Sequence, residues 1–251
     1  MDNTNWLNRE EMLIGKESIN KLKNSNVIVF GLGGVGSYVV EGLVRAGVGN
    51  ITIVDKDVVD VTNINRQLIA DTETVGMAKV DVEKARICKI NPHINVVAIK
   101  EFVSKDNIEE IMRKTNDLVA NSTIKSTNLE TKNHNNKLNI DYVIDAIDTV
   151  SSKLEIIKYC YDNGIKIISC MGTGNKLDAS KFEITDINKT SVCPLAKVIR
   201  KELRNLDIPH LKVLYSKEEP IKVNSSTPAS ISFVPSVAGF LIAGEVVREL
   251  M

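Results

Sequence analysis

The chain has 251 residues, 43% of them hydrophobic, which is enough to bury one substantial core. Lysine plus arginine and aspartate plus glutamate each number 32, and this balance excludes a protein that binds nucleic acid through overall positive charge. The polar first 15 residues do not resemble a signal peptide, and the longest apolar stretch, 231–244, falls short of the about 20 residues that span a membrane, so we expect a cytoplasmic protein.

The predicted elements alternate between strands and helices for most of the chain. Apolar runs rich in β-branched residues predict strands, and these are 26–30, 50–54, 94–99, 141–145, 165–169 and 212–215. Helical spacing of apolar residues predicts helices, and these are 16–24, 37–46, 77–89, 106–114, 153–163, 195–206 and 231–244. The alternation predicts an α/β fold with a Rossmann-like, doubly wound, mostly parallel sheet and helices on both faces.

We expect one domain, residues 1–251, with three features outside the central sheet. They are an N-terminal helical arm at 1–25, a polar exposed loop at 115–138 and a C-terminal α/β extension at 180–251. The four cysteines, Cys88, Cys160, Cys170 and Cys193, form no CxxC pair and match no zinc spacing, so we expect free thiols in a reducing compartment.

A glycine turn follows the first strand directly and precedes a helix. Gly31, Gly33, Gly34 and Gly36 allow a tight turn and a close approach of backbone amides to phosphate, next to the positive end of the helix. Asp55 ends the second strand, where a carboxylate binds ribose hydroxyls. These residues alone fit a site for NAD as well as one for ATP.

The residues that follow favour a nucleoside triphosphate. Asp57, Asn63, Arg66, Gln67 and Lys79 come next along the chain. An NAD site does not need Arg and Lys here, whereas a triphosphate and its pyrophosphate leaving group need cations to stabilise their negative charge.

A second carboxylate lies beyond the fourth strand. Asp148 falls just past the carboxyl end of strand 141–145, where ligands bind in open α/β sheets. A carboxylate in this place can hold Mg²⁺ that bridges phosphates, so ATP and Mg²⁺ are the predicted ligands.

These motifs resemble those of the ubiquitin-activating-enzyme-like (ThiF/MoeB-type) adenylating superfamily. The matching segments are GLGGVGS (31–37), DKD (55–57), TNINRQ (62–67), VGMAK (75–79) and DAID (145–148). The resemblance implies that the aspartate at 55 binds ribose, that the Asn, Arg and Gln of TNINRQ line the triphosphate site, that the lysine at 79 contacts phosphate and that the last aspartate works with Mg²⁺. It also implies a homodimer in which Arg9 reaches into the ATP site of the partner subunit.

Three segments of the second half of the chain, 169–204, 215–220 and 230–247, point to a narrower family. They are similar to segments of the tRNA threonylcarbamoyladenosine dehydratases. The resemblance implies that the threonine carboxylate of the modified base is adenylated by ATP and that ring closure then expels AMP. The partner would be tRNA bearing threonylcarbamoyladenosine, with the C-terminal part facing it and supporting the dimer.

Charge supports a polyanionic partner. Seven basic residues and two acidic ones lie between Lys189 and Lys217, and such a patch can follow tRNA phosphates. The chain departs from its relatives in two places. It lacks the Cys-rich segment that they often carry before the last helix, and its 115–138 loop is longer than theirs.

Three alternatives stay open at this stage. An adenylyltransferase that acts on the C-terminal glycine of a sulfur-carrier protein would commonly have paired zinc cysteines and a reactive cysteine. Cys193, in the motif TSVCPLAK, is a candidate for such a thiol, and a sulfur-transfer partner such as a cysteine desulfurase would then be expected. An NAD-dependent oxidoreductase is disfavoured by Arg66, Lys79 and Asp148, and a non-catalytic scaffold is disfavoured by the intact ATP motifs.

Overall fold

A seven-stranded sheet forms the centre of the molecule in the computed structural model, which describes residues 6–115, 139–225 and 227–251. The strands are β1 (Asn26–Phe30), β2 (Asn50–Val54), β3 (Asn95–Ile99), β4 (Tyr142–Asp145), β5 (Ile167–Cys170), β6 (Phe182–Asp186) and β7 (Lys212–Ser216). Their order is β3-β2-β1-β4-β5-β7-β6, and every pair is parallel except β6 with β7. The mostly parallel sheet is therefore confirmed.

Helices cover both faces of the sheet. They are α1 (Asn8–Asn24), α2 (Gly36–Arg45), α3 (Lys79–Ile90), α4 (108–115), α5 (Val150–Asp162), α6 (Pro194–Asn205) and α7 (Phe233–Leu250). α2, α3 and α7 pack on one face through a core that includes Val39 and Ile242, whereas α4 and α5 pack on the other through Met112 and Ile156. α6 lies against α5 and β7 in a third cluster.

The strand order reverses between β1 and β4. β2 and β3 lie to one side of β1, and β4, β5 and β7 lie to the other, so the crevice for a ligand is expected at the carboxyl ends of β1 and β4. Phe30 is in register with both Val54 and Asp145. The loops that follow these three strands therefore start side by side.

The structure differs from the sequence prediction mainly at the ends of two helices and at one edge of the sheet. The predicted helix at 16–24 is the second half of a longer helix, α1, which bends at Gly15. The final helix extends to Leu250. β6 was not predicted, since it is an edge strand whose residues are all half-buried and its apolar pattern is weak. The predicted loop at 115–138 lies outside the described residues, except Thr115, which is buried in α4.

One carboxyl group in the described part of the chain is buried in the core without a hydrogen-bond partner. Glu83 of α3 is fully buried, and neither of its side-chain oxygens accepts a hydrogen bond from a described residue. Burial raises the pKa of Glu83 to about 8, although the nearby Arg86 acts in the opposite direction. Glu83 is therefore mostly a neutral acid at pH 7.

No helix in the described part of the chain is long and apolar enough to cross a bilayer.

Candidate active site

A cleft of about 570 Å³ opens at the carboxyl ends of the parallel strands. Its walls are the segments that follow β1, β2, β3, β4 and β5, together with parts of 227–235. The volume lies within the range of small-molecule sites, and the position is the one at which α/β sheets bind ligands.

The glycine turn after β1 brings backbone into the cleft. Gly31 has φ of +90°, and a Cβ there would lie 2.8 Å from the carbonyl oxygen of Ala146, so only glycine lets the loops after β1 and β4 touch. A Cβ on Gly36 would lie 1.8 Å from the carbonyl oxygen of Gly31. Gly33 and Gly34 line the cleft, whereas Gly36 packs behind it and is absent from its lining.

Asp55 connects two walls of the cleft. Its Oδ2 accepts a hydrogen bond from the amide of Leu32 at 2.6 Å, and its Oδ1 accepts one from the amide of Asp57 at 2.8 Å. Each carboxylate oxygen has a second lone pair that a ribose hydroxyl can use. The predicted ribose-binding carboxylate is thus held in the cleft next to the glycine turn.

Lys79 carries a buried positive charge to the same wall. Its side chain is 7% exposed, and its Nζ lies 3.2 Å from Oδ2 of Asp57, which is half exposed. This carboxylate is the only acceptor of the ammonium among the described residues. A buried ammonium with one partner retains donors for an anion, so Lys79 suits a phosphate.

The segment that contains Asn63, Arg66 and Gln67 forms the next part of the wall. Asn63 accepts a hydrogen bond from the amide of Asp60, which fixes this turn, and Cγ of Arg66 lies 3.3 Å from the Cβ position of Gly34. Nη1 of Arg66 donates to the Thr62 carbonyl oxygen at 2.8 Å. Gln67 is buried, and its Oε1 has no partner in the described structure, as expected of an atom whose partner belongs to a ligand.

Asp148 lines the cleft from the loop after β4. Its side chain is exposed, and its Oδ1 lies 3.4 Å from the Thr149 hydroxyl, so the carboxylate is open to a ligand. No group of three or more His, Cys, Asp or Glu side chains is arranged to hold a metal in the ranges that the structure covers. Any metal held by Asp148 would need further oxygens from a ligand.

A fully buried ion pair lies beneath the Asp148 loop. Lys153 donates from Nζ to Oδ2 of Asp145 at 2.9 Å and to the carbonyl oxygen of Cys170 at 2.8 Å, and both side chains of the pair are completely buried. Oδ2 of Asp145 also accepts from Ser169 at 2.5 Å, while its Oδ1 accepts from the Ile147 amide at 3.2 Å. The pair therefore joins α5 to the ends of β4 and β5, where two cleft loops begin.

The far half of the cleft carries little charge. It is formed by the turn from Met171 to Gly174, by Leu195 at the start of α6, and by 227–230. Cys170 also lines it, but burial raises the pKa of the Cys170 thiol to about 12, so this sulfur is not a thiolate at neutral pH. Cys193 is buried behind the wall, with Sγ 3.9 Å from the Cβ position of Gly172.

Two of the segments that carry the resemblance to the narrower family, 169–204 and 215–220, contact each other beside the uncharged half of the cleft. Glu218, from the 215–220 segment, accepts hydrogen bonds from the amides of Leu177 and Asp178, each at 3.0 Å. Lys176 is buried and donates to the Glu218 carbonyl oxygen. These contacts fix the strand-to-loop connection after the turn that lines the cleft.

The structure brings most of the predicted site residues together. The ten that line the cleft are Gly31, Gly33, Gly34, Asp55, Asp57, Asn63, Arg66, Gln67, Lys79 and Asp148. Gly36 lies behind the turn, and Arg9 is exposed on α1 and does not line the cleft of its own chain.

Sequence reasoning missed two groups of residues. Glu101, Phe102 and Val103, which follow β3, line the cleft, and Nζ of Lys56 lies 4.9 Å above the centre of the Phe102 ring. The rule that ligands bind at strand ends could have pointed to them. Lys153 could have been found as a lysine on the apolar face of its helix, since Ile156, Ile157 and Cys160 share that face.

Comparisons with a family model and with curated proteins agree with the family resemblance of the sequence motifs. The ThiF family model matches residues 7–251. The tRNA threonylcarbamoyladenosine dehydratase of Bacillus subtilis is 41% identical over 261 aligned positions, which cover 97% of this chain and 93% of that protein. The adenylyltransferase and sulfurtransferase UBA4 of Saccharomyces cerevisiae is 31% identical, but over 69% of this chain and 33% of that protein.

Solved structures of one relative match almost the whole fold. The Escherichia coli tRNA N6-threonylcarbamoyladenosine dehydratase in complex with AMP superposes with a TM-score of 0.82 at 30% identity, covering 96% of this chain and 92% of that one. The same enzyme in complex with ATP gives a TM-score of 0.82 at 29% identity, covering 97% and 92%.

Proposed function

Because this chain belongs to the ThiF family, we propose that it is an ATP-dependent, adenylate-forming tRNA threonylcarbamoyladenosine dehydratase. The observation that carries the proposal is the two-part cleft. One half gathers Asp55, Arg66, Lys79 and Asp148 around a glycine turn, and the other half, which is almost uncharged, continues directly from it. The first half suits ATP, and the second suits the modified base that supplies the carboxylate.

ATP fits the first half on chemical grounds. The buried ammonium of Lys79, the guanidinium of Arg66 and the backbone of the glycine turn converge where phosphates would lie. The orphaned Oε1 of buried Gln67 needs a donor, and a nucleotide hydroxyl or amine can supply one. By analogy with other Rossmann-like sites, Asp55 would take the ribose, which leaves Phe102 and its neighbours for the adenine.

Mg²⁺ fits the same half as a partner of the phosphates. Magnesium is usually held by one or two carboxylates together with phosphate oxygens and water, and Asp148 is exposed and available for this role. The ion would neutralise charge on the phosphates as pyrophosphate leaves. Asp57 is paired with Lys79, which leaves Asp148 as the carboxylate most available to the metal.

The proposed reaction has two steps. The threonine carboxylate attacks the α-phosphorus of ATP, a new C–O–P linkage forms, and pyrophosphate leaves with its charge facing Arg66 and Lys79. The ureido oxygen of the same base then attacks the acyl carbon, AMP departs, and the ureido nitrogen loses a proton. Because the second nucleophile is tethered to the acyl group, ring closure needs no enzyme nucleophile.

Adenylation of a sulfur-carrier protein is the second candidate. The similarity to UBA4 covers a smaller part of both chains than the similarity to the dehydratases. The neutral thiol of Cys170 also disfavours a thioester at the cleft. The four cysteines are free, in line with the cytoplasmic location that we propose for a tRNA-modifying enzyme.

The proposal is tested by following pyrophosphate and AMP with defined substrates. We expect equal amounts of both products from tRNA bearing threonylcarbamoyladenosine, together with loss of the mass of one water from that nucleoside. The same tRNA without the threonylcarbamoyl group should give neither product. Release with a carrier protein that ends in Gly-Gly, and none with modified tRNA, would refute the dehydratase assignment.

We also propose that two copies of the chain share each site. Met12 and Leu13 on α1 are more than 80% exposed, and Phe233, Val237 and Phe240 form an exposed apolar row on α7. α7 reaches the cleft through Pro235. Arg9, on the same helix as Met12, is absent from its own cleft, and a second copy packed on these surfaces can bring its Arg9 to the site.

Mixing two inactive variants tests this arrangement. Arg9→Ala and Asp148→Ala proteins should each be inactive alone, but after subunit exchange hybrid dimers should restore about a quarter of wild-type turnover, since half of the dimers then contain one intact site. The measurement is pyrophosphate release from modified tRNA, with light scattering to confirm a dimer. Absence of any recovery despite subunit exchange would exclude a role for Arg9 across the interface.

A further inference from the structure

The basic residues between 189 and 217 divide into two groups in the folded protein. Nη1 of Arg200 donates to the Thr190 hydroxyl at 2.7 Å and to the Thr190 carbonyl oxygen, so it holds the loop before α6. Lys212 is paired with Glu245 and Glu249, and Lys217 is paired with Glu183. These three cations already have partners within the protein. Fewer basic side chains are therefore available to a ligand than the seven counted in the sequence.

Three of the remaining basic residues form a row on α6. Lys197, Lys201 and Arg204 are exposed and lie three or four residues apart, so they share one face of the helix, and none forms an ion pair with a described residue. We call them the α6 basic stripe. Glu202 lies about 100° around the helix from Lys201, so it does not interrupt the row.

The α6 basic stripe starts in the first turn of α6, the end of the helix that reaches the cleft. α6 starts at Pro194, and Leu195 lines the uncharged half of the cleft, with its Cβ 4.0 Å from the Cβ position of Gly172. Lys197 follows two residues later, about 200° around the helix from Leu195, so the stripe starts next to the cleft on the outer side of α6. The opposite face of α6, with Ala196, Ile199 and Leu203, is buried against the body of the protein, so the stripe is fixed in direction.

We propose that the α6 basic stripe binds consecutive phosphates of the tRNA strand next to the modified nucleotide. The inference rests on the proposed function, since a base in the cleft must remain attached to a strand that leaves through the mouth. Lys197 and Arg204 are about 10 Å apart along the helix axis at 1.5 Å per residue. At about 3.4 Å of rise per nucleotide in a stacked strand, that length matches roughly three steps from one phosphate to the next.

The test measures tRNA affinity as a function of salt. We expect the triple variant Lys197→Gln, Lys201→Gln, Arg204→Gln to lose about two to three units of the slope of log K against log salt, and roughly 10²-fold of affinity at 0.15 M. The probe is tRNA bearing threonylcarbamoyladenosine, followed by filter binding. The apparent KM for the same tRNA should rise in parallel.

A matched variant controls for charge. Lys84, Lys89 and Lys166 are exposed and lie outside α6, so their triple change to Gln removes the same charge and should leave tRNA affinity within about twofold of wild type. Equal affinity and an equal salt slope in the stripe variant and wild type would exclude the α6 basic stripe as a tRNA-binding surface. The dehydratase assignment would be unaffected by that result. Absence of pyrophosphate release by the wild type with modified tRNA would instead refute the function itself.

Discussion

Arg66→Ala protein is expected to release pyrophosphate from modified tRNA and ATP about 10³ times more slowly than wild type. Cγ of Arg66 lies 3.3 Å from the Cβ position of Gly34 in the glycine turn, and among the described residues Nε and the second Nη of Arg66 have no acceptor, so both remain available for phosphate oxygens. A preorganised cation at a site of developing charge in a cleft contributes a factor of this size to turnover. The measurement is single-turnover pyrophosphate release at saturating ATP.

Two further variants test whether the loss of rate is specific to the guanidinium of Arg66. Arg66→Lys retains the charge but loses the planar fork, so its rate should fall between those of wild type and Arg66→Ala. Arg45→Ala removes an exposed arginine that pairs with Glu41 on α2, outside the cleft, and should leave turnover nearly unchanged. A rate for Arg66→Ala within a few-fold of the Arg45→Ala rate would remove Arg66 from the catalytic machinery.

Lys153→Met is expected to lower the free energy of unfolding by about 3–5 kcal/mol, because it leaves the carboxylate of Asp145 buried without its cation. The side chains of both residues are fully buried, and the ammonium donates to three acceptors across β4 and β5. Urea unfolding followed by circular dichroism measures the loss. If the folded variant persists at low temperature, its pyrophosphate release should require more Mg²⁺, since Asp145 anchors the loop that carries Asp148.

The double variant Asp145→Asn, Lys153→Met separates charge from packing. With both charges removed, much of the stability lost in Lys153→Met should return, which a double-mutant cycle detects as strong coupling. Lys158→Met is the surface comparison on the same helix, where the lysine pairs with Asp162 in solvent, and little change is expected. Equal losses for Lys153→Met and Lys158→Met would contradict the importance of the buried pair.

The sequence was sufficient to predict the parallel strands and the half of the cleft that holds the candidate phosphate-binding residues. Buried parallel strands are continuous apolar runs, so β1 and β2 were predicted at their observed bounds. Parallel strands end at one edge, and residues far apart in sequence, such as Asp55 and Asp148, could therefore be assigned to one site. That each of them lines the cleft follows from the register of Phe30 with Val54 and Asp145.

Side-chain pairing was the part that local patterns could not reveal. Nothing near Lys212 in sequence indicates that α7 supplies its glutamates from more than 30 residues away, so the basic patch was overestimated. The strand β6 was missed because edge strands are only partly buried and lack a clear apolar pattern. The role that we propose for Arg9 would depend on a second chain, and no pattern within one chain determines where that chain lies.

Glu83 has a consequence for how folding responds to pH. Its carboxyl group has an ordinary pKa of 4.5 but titrates at about 8 when buried beside Arg86 and Glu41, so between these values the folded chain holds a proton that the unfolded chain has released. The stability contributed by this group is complete below pH 4.5 and is lost as the pH rises through 8. At neutral pH, therefore, Glu83 makes folding take up a proton from solution, and refolding in a weakly buffered sample should make that sample more alkaline through this site.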